Sequence, residues 1–265
     1  MVAVLLRFQL CCLLFSFAFA ANAEVLSLYV TSAEGGRQSQ GNIVSLEKYL
    51  AQQGCYVAVG ASASINLADL VFNARPAELL LSNSSQKFSS TQERGESLPY
   101  EPLVAVRTWQ DYPLTSAVLV KSSTGLTNLA GLKGQRIAYI SEDAYMGRQV
   151  AEQLMSTVNV QPRGNSIYLT GGYEGSMTML LHGDVFSAVI AGPLAHRWAK
   201  ANDLTVVVES DPLDIGYLWI RASLAEDIKT VCRNAMLALQ RESRRDKRMK
   251  VFPLWVEGFK PVTVH

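Results

Sequence analysis

"LAGLKGQRIAYISEDAYMG", Leu129 to Gly147, sets a short apolar turn against a basic corner punctuated by Gly134. The β-rich run Gln135–Ser141 follows, then two acids, Glu142 and Asp143, where the next helix should begin. A strand that stops at a polar edge just ahead of a helix start is the repeating unit of an open α/β sheet. In such sheets ligands sit outside the carboxyl ends of the strands. The rest of the chain repeats this rhythm in both directions.

Upstream, "VLSLYV" (25–30) reads as a strand, and Asn42–Gln53 as a helix with Ile43, Leu46 and Leu50 on one face. Gly54 stops that helix. "CYVAVG" is a second strand, Asn66–Asn73 a short helix and "AELLLS" a buried strand. Residues 83–100 form a long polar loop, and "PLVAVRT" returns as strand. Downstream, "SAVLVKS", "QRIAYIS", "NSIYLTG", "VFSAVIAG" and "LTVVVES" are strands. Helices over 126–132, 145–157, 175–181 and 194–201 separate them. "GYLWIR" is one more strand and 224–240 a long helix. This order predicts two α/β sheets, the second inserted between halves of the first, with a cleft between them. The expected spans are 24–112 and 222–265 for the first lobe and 113–221 for the second, with crossings near Tyr112–Ser116 and Ile215–Trp219.

The N-terminus reads as an address. Arg7 precedes an apolar core from Leu10 to Ala21, and Ala21-Asn22-Ala23 is an A-x-A cleavage site, which places the cut before Glu24. The apolar run is short of the roughly 20 residues a spanning helix needs. Residues 1–23 are therefore expected to be a signal peptide, and the mature protein to be periplasmic. Removing them takes away Arg7 and no acid, leaving 23 cations against 23 acids. A balance of that kind supplies no general field for nucleic acid. Cys55 and Cys232 are the cysteines that remain, and a disulfide and two buried thiols are both open.

At this point the sequence resembles a known family. "TNLAGLKGQRIAYIS" is similar to the stretch that opens the second lobe of type II periplasmic solute-binding proteins, and "GYEGSMTMLLHGDVFSAVIAG" to their following helix and strand. "DIGYLWIRASLAEDI" resembles their return strand, and "VEGFKPVT" the ending common in the phosphate/phosphonate-type branch. The resemblance covers residues 115–262 in order. It implies a two-lobed type II periplasmic binding protein fold, each lobe a mainly parallel sheet flanked by helices, with a ligand cleft between the lobes. It also implies closure around a small solute by hinge motion, most often in the service of an ABC importer.

Four strand ends should face that cleft: Thr31-Ser32, Ser82-Asn83-Ser84, Ser141-Glu142 and Thr170 through Ser176. Hydroxyls, amides and backbone N–H groups at helix starts suit an anion or a zwitterion. Tyr145 and Tyr173 should flank the cleft from the second lobe, with Glu174 beside the latter. The resembled branch usually carries a Ser/Thr-rich turn where this chain has Glu142 and Asp143, and a His-Asp pair where it has Tyr173-Glu174. Acids gain about 0.3–1 kcal/mol from a helix N-terminus, yet at that position they also oppose a dianion. On this reading the solute carries an amine or many hydroxyls, or the pocket has lost its ligand. "RESRRDKRMK" (Arg241–Lys250), with six cations and two acids, reads as a solvated helix end; the functional alternative is contact with anionic lipid or an acidic partner.

No G-x-S-x-G, G-x-G-x-x-G, P-loop or H-E-x-x-H occurs, so no enzyme activity, metal or cofactor is expected. The expected function is solute capture by a monomer, handed to the membrane permease of an ABC importer. The alternative is a signalling subunit of the same fold that acts on a membrane sensor protein, a kinase or a cyclase.

Overall fold

In the computed structural model of the chain, residues 25–31, 39–62, 77–82 and 100–263 are described. The segment expected to be a signal peptide, the helix expected over 66–73 and the loop expected over 83–100 lie outside these residues, apart from Tyr100. So do Ser32, Asn83 and Ser84.

The elements run in chain order as β1 (Leu26–Thr31), α1 (Gln40–Gln52), β2 (Val57–Ser62), β3 (Leu79–Ser82) and β4 (Tyr100–Arg107). After a first crossing come β5 (Ser116–Lys121), β6 (Ile137–Tyr139), α2 (Val150–Ser156), β7 (Ile167–Leu169) and α3 (Tyr173–His182). They are followed by β8 (Ser187–Ala191), α4 (Gly192–Asn202) and β9 (Leu204–Glu209). A second crossing leads to β10 (Tyr217–Arg221), α5 (Glu226–Ala238) and β11 (Gly258–Lys260).

Two sheets result. The first has strand order β11-β4-β10-β3-β1-β2, the second β7-β6-β8-β5-β9. The reason lies in burial. In β1, Leu26, Leu28 and Val30 are buried while Ser27 and Tyr29 are half-buried, the alternation of a strand with one deep face. β5 and β8 read as near-continuous apolar runs because helices cover both of their faces. Leu46 and Leu50, four apart on α1, put one helical face into the same core.

Both sheets are mixed. β1 pairs β2 and β3 in parallel, and β6 pairs β7 and β8 in parallel. β10 is antiparallel to β3 and β4, and β5 to β8 and β9. The cause is the crossing itself. Strands of the β-α-β units run toward the cleft, whereas β5 and β10 begin at the cleft and run away from it. β10 therefore belongs to the first sheet, and the expected second-lobe span to residue 221 takes in a strand that hydrogen-bonds in the first. A strand's own composition does not say which sheet will accept it.

Cys55, just before β2, and Cys232, on α5, form a disulfide across 177 residues with their Cα atoms 4.9 Å apart. It ties the start of the first lobe to the chain's return. Beyond α5 the C-terminal segment is anchored by Trp255 and Phe252, both buried, with Phe252 edge-on to Phe259 at 5.2 Å. Truncating aromatics so buried costs about 3–5 kcal/mol.

Candidate functional site

The two crossings are pinned together where α4 begins. Tyr112 Oη lies 2.7 Å from His196 Nε2 and donates to Glu209 Oε2 at 3.1 Å, while His196 Nε2 lies 2.8 Å from the same carboxylate oxygen. The Thr115 hydroxyl donates to Glu209 Oε1. A Cβ on Gly192 would strike both Thr115 and Glu209, so glycine at the first residue of α4 lets the helix approach the crossing this closely. Burial, then the Glu209 charge, raises the Tyr112 phenol above its ordinary value. His196, on α4, is a half-buried part of this junction.

Beside the hinge lies a cavity of about 700 Å³ between the sheets. One wall is the turn from β7 into α3: Thr170, Gly171, Gly172, Tyr173, Glu174 and Gly175. Gly171 takes the left-handed conformation, with φ +75°, and turns the chain into the helix. Thr170 Oγ1 lies 2.7 Å from Ser176 Oγ and within reach of the Gly172 carbonyl, at 3.0 Å. Those hydroxyls are thus occupied within the turn. The N-cap residue of α3 is Gly172, which has no side chain to cap the helix, and this first turn lines the cavity.

From the first lobe, Ser39 and Asn42 bring the start of α1 to the same cavity, and α1 too has no side-chain cap. The remaining wall is the C-terminal segment, with Arg241, Arg244, Lys250 and Glu257. α5 ends at Ala238, so the run Arg241–Lys250 is not the helix end expected from sequence. It folds back instead. Arg248 stacks over the Tyr49 ring at 5.0 Å and pairs with Asp246 and Glu242. Arg241 donates to the Val256 carbonyl at 2.8 Å and the Met249 carbonyl at 3.3 Å. Burial lowers its guanidinium from the ordinary value, with Glu257 acting in the opposite sense. Arg244 and Lys250 are exposed to the cavity and form no ion pair with any described residue. Arg197 of α4 completes the floor, its Nη1 2.7 Å from Glu257 Oε1.

Of the residues expected in the cleft, Tyr173 and Glu174 line this cavity. Thr31 and Ser82 are in-register neighbours at the ends of β1 and β3. Ser141, Glu142 and Tyr145 do not line the cavity. The helix expected to start at Tyr145 opens with a π turn, Tyr145–Gln149, in which Gln149 N donates to the Ala144 carbonyl at 3.1 Å. Glu142 and Asp143 point to solvent on the turn before it. The Ser141 hydroxyl is buried and without a partner among the described residues. The acids therefore do not occupy the helix start that forms the cavity wall, and their opposition to an anion does not apply there.

A family model described as "ABC transporter, phosphonate, periplasmic substrate-binding protein" matches residues 89–265. The chain belongs to this family. The fold agrees with solved structures at low identity. The binding protein component of an ABC phosphonate transporter from Pseudomonas aeruginosa is 17% identical, with a TM-score of 0.54 over 89% of this chain and 80% of that one. PhnD1 from Prochlorococcus marinus, in complex with methylphosphonate, is 16% identical with a TM-score of 0.56 over 91% and 93%. A Xanthomonas citri protein bound to ATP is 14% identical with a TM-score of 0.55 over 90% and 91%. No curated protein matches the chain in sequence.

As a member of the phosphonate-binding family, the chain is a periplasmic solute-binding protein of an ABC importer, with a small-molecule ligand and a membrane permease as its partners. Among the described residues no helix is long and apolar enough to cross a membrane. Nor is there a group of three or more residues able to hold a metal ion.

Proposed function

We propose that the protein captures a small phosphorus oxyanion of the phosphonate class in the cavity between α3 and the C-terminal segment. One observation carries this reading: two uncommitted cations, Arg244 and Lys250, share a cavity with the uncapped first turn of α3. Backbone N–H groups at a helix start, with cations beside them, are the donors that phosphorus oxygens require. Glu174, exposed on the same turn, suits a solute whose far end carries an amine. The methylphosphonate complex of the Prochlorococcus protein makes that compound the first probe.

Thermal shift against methylphosphonate, 2-aminoethylphosphonate, phosphate, arginine and glucose tests the reading. A ligand at 100 times its dissociation constant stabilises by about 2.7 kcal/mol. For a chain of this size that is a rise of about 5–10 °C in Tm. The expected result is a rise with the phosphorus compounds and none with arginine or glucose. A rise with arginine or glucose alone would overturn the assignment.

A further inference from the structure

Glu257 is held from both sides of the cleft. Arg197, from α4 of the second lobe, donates to Oε1 at 2.7 Å, and Arg241 Nε of the first lobe lies 3.4 Å from Oε2. The backbone fixes the residue in place: Glu257 N donates to the Arg107 carbonyl at 2.7 Å, and its own carbonyl accepts from Arg241 N at 2.9 Å. Arg197 still has a donor to spare, since its Nε is buried with no acceptor among the described residues. All three side chains line the cavity.

We propose that Glu257 is a specificity-determining residue, a built-in carboxylate that offsets one of the two charges of Arg197 and Arg241 and so limits the negative charge the cavity accepts. An incoming solute then meets Arg244, Lys250 and the α3 turn, with Glu257 and Glu174 repelling any further charge. A phosphonate fits that balance. A polyphosphate, which needs more cations than remain free, is turned away. The inference rests on the anion-binding reading above.

Isothermal titration of the wild type, Glu257→Gln, Arg197→Met and the double variant with methylphosphonate and with pyrophosphate tests it. Removing one charge from a close pair in a site of this kind is expected to change affinity about tenfold. Glu257→Gln should gain about that factor for pyrophosphate and less, about threefold, for methylphosphonate. Arg197→Met removes a cation from the cavity floor and leaves Glu257 to Arg241 alone, so it should weaken methylphosphonate about threefold and abolish most of the gain when added to Glu257→Gln. Equal or weaker binding of both anions by Glu257→Gln would overturn the proposal and make the residue a strap between the lobes. A pyrophosphate gain that persists undiminished in the double variant would overturn it independently. If the wild type binds methylphosphonate and Glu257→Gln shows no gain, the Glu257 inference alone fails. If neither protein binds an oxyanion, the anion-binding reading fails with it.

Discussion

Two turns of the second lobe look alike in sequence and differ in what they do. Each follows a strand of the same sheet, β6 or β7, and each carries acid near the start of the next helix. At Ser141–Gln149 the chain enters a π turn, Glu142 and Asp143 face solvent, and none of Ser141, Glu142 and Tyr145 reaches the cavity. At Thr170–Gly175 three glycines replace bulk, the N-cap Gly172 has no side chain to cap the helix, and the turn forms the cavity wall. The difference teaches that charge at a helix start carries meaning only once the direction of the turn is known. One extra residue in the π turn alters how the following helix is presented, and the acids go with it.

The largest expected effect breaks the partner of the second turn. Arg244→Glu with Lys250→Glu should weaken methylphosphonate about 100-fold or more in calorimetry, since two charge-assisted contacts are each worth about 1.5–3 kcal/mol. Glu142→Gln with Asp143→Asn, on the first turn, should change it less than about twofold. Equal losses from the two pairs would erase the contrast between the turns.

A glycine in each turn sharpens the comparison at a smaller scale. A Cβ on Gly175 would sit 3.0 Å from the Thr170 carbonyl oxygen, pressing on backbone, whereas one on Gly147 would meet the end of the Ile140 side chain. Both Ala variants should lose about 1–3 kcal/mol of stability through overpacking. Only Gly175→Ala should also lose methylphosphonate affinity, by about fivefold, because the donors of α3 move with it. Chemical denaturation and calorimetry separate the two effects.

The smallest effect concerns the segment that faces the second turn. Burial raises the Asp246 carboxyl, but the hydrogen bonds and charge of Arg248 outweigh it and leave the acid below its ordinary value. A carboxyl depressed in the folded state contributes stability above the unfolded value, about 3.9, and loses it as pH falls through the lower folded value. Asp246→Asn should therefore melt about 2–4 °C below the wild type at pH 7. That gap should close as the pH is taken below the ordinary carboxylate range and through the lower folded value. A gap that widens in acid would reverse the sign of this account.

Much of the fold was legible in residues. The alternation of "VLSLYV", the apolar run of "SAVLVK" and the helix ending at Gly183, with φ +85°, each follow from local pattern. β10 was legible as a strand but not as a member of the first sheet, because pairing partners are set by the crossing. The Cys55–Cys232 bridge joins residues 177 apart, a proximity that only the folded sheet supplies. The cavity was half legible. Tyr173 and Glu174 follow a strand end, a rule sequence can apply. Arg244 and Lys250 sit in a run of six cations that reads as a solvated face; with Arg241 and Arg248 engaged elsewhere, these are the two of the remaining four that the fold brings to the cavity. The clue available beforehand was the density of that charge, six cations in ten residues, just past a long helix.

Amide hydrogen exchange with and without saturating methylphosphonate compares the two turns in one experiment. The account predicts protection at Gly171–Gly175 and across Arg241–Phe252, with Ser141–Tyr145 unchanged. Protection at Ser141–Tyr145 with none at Gly171–Gly175 would contradict it.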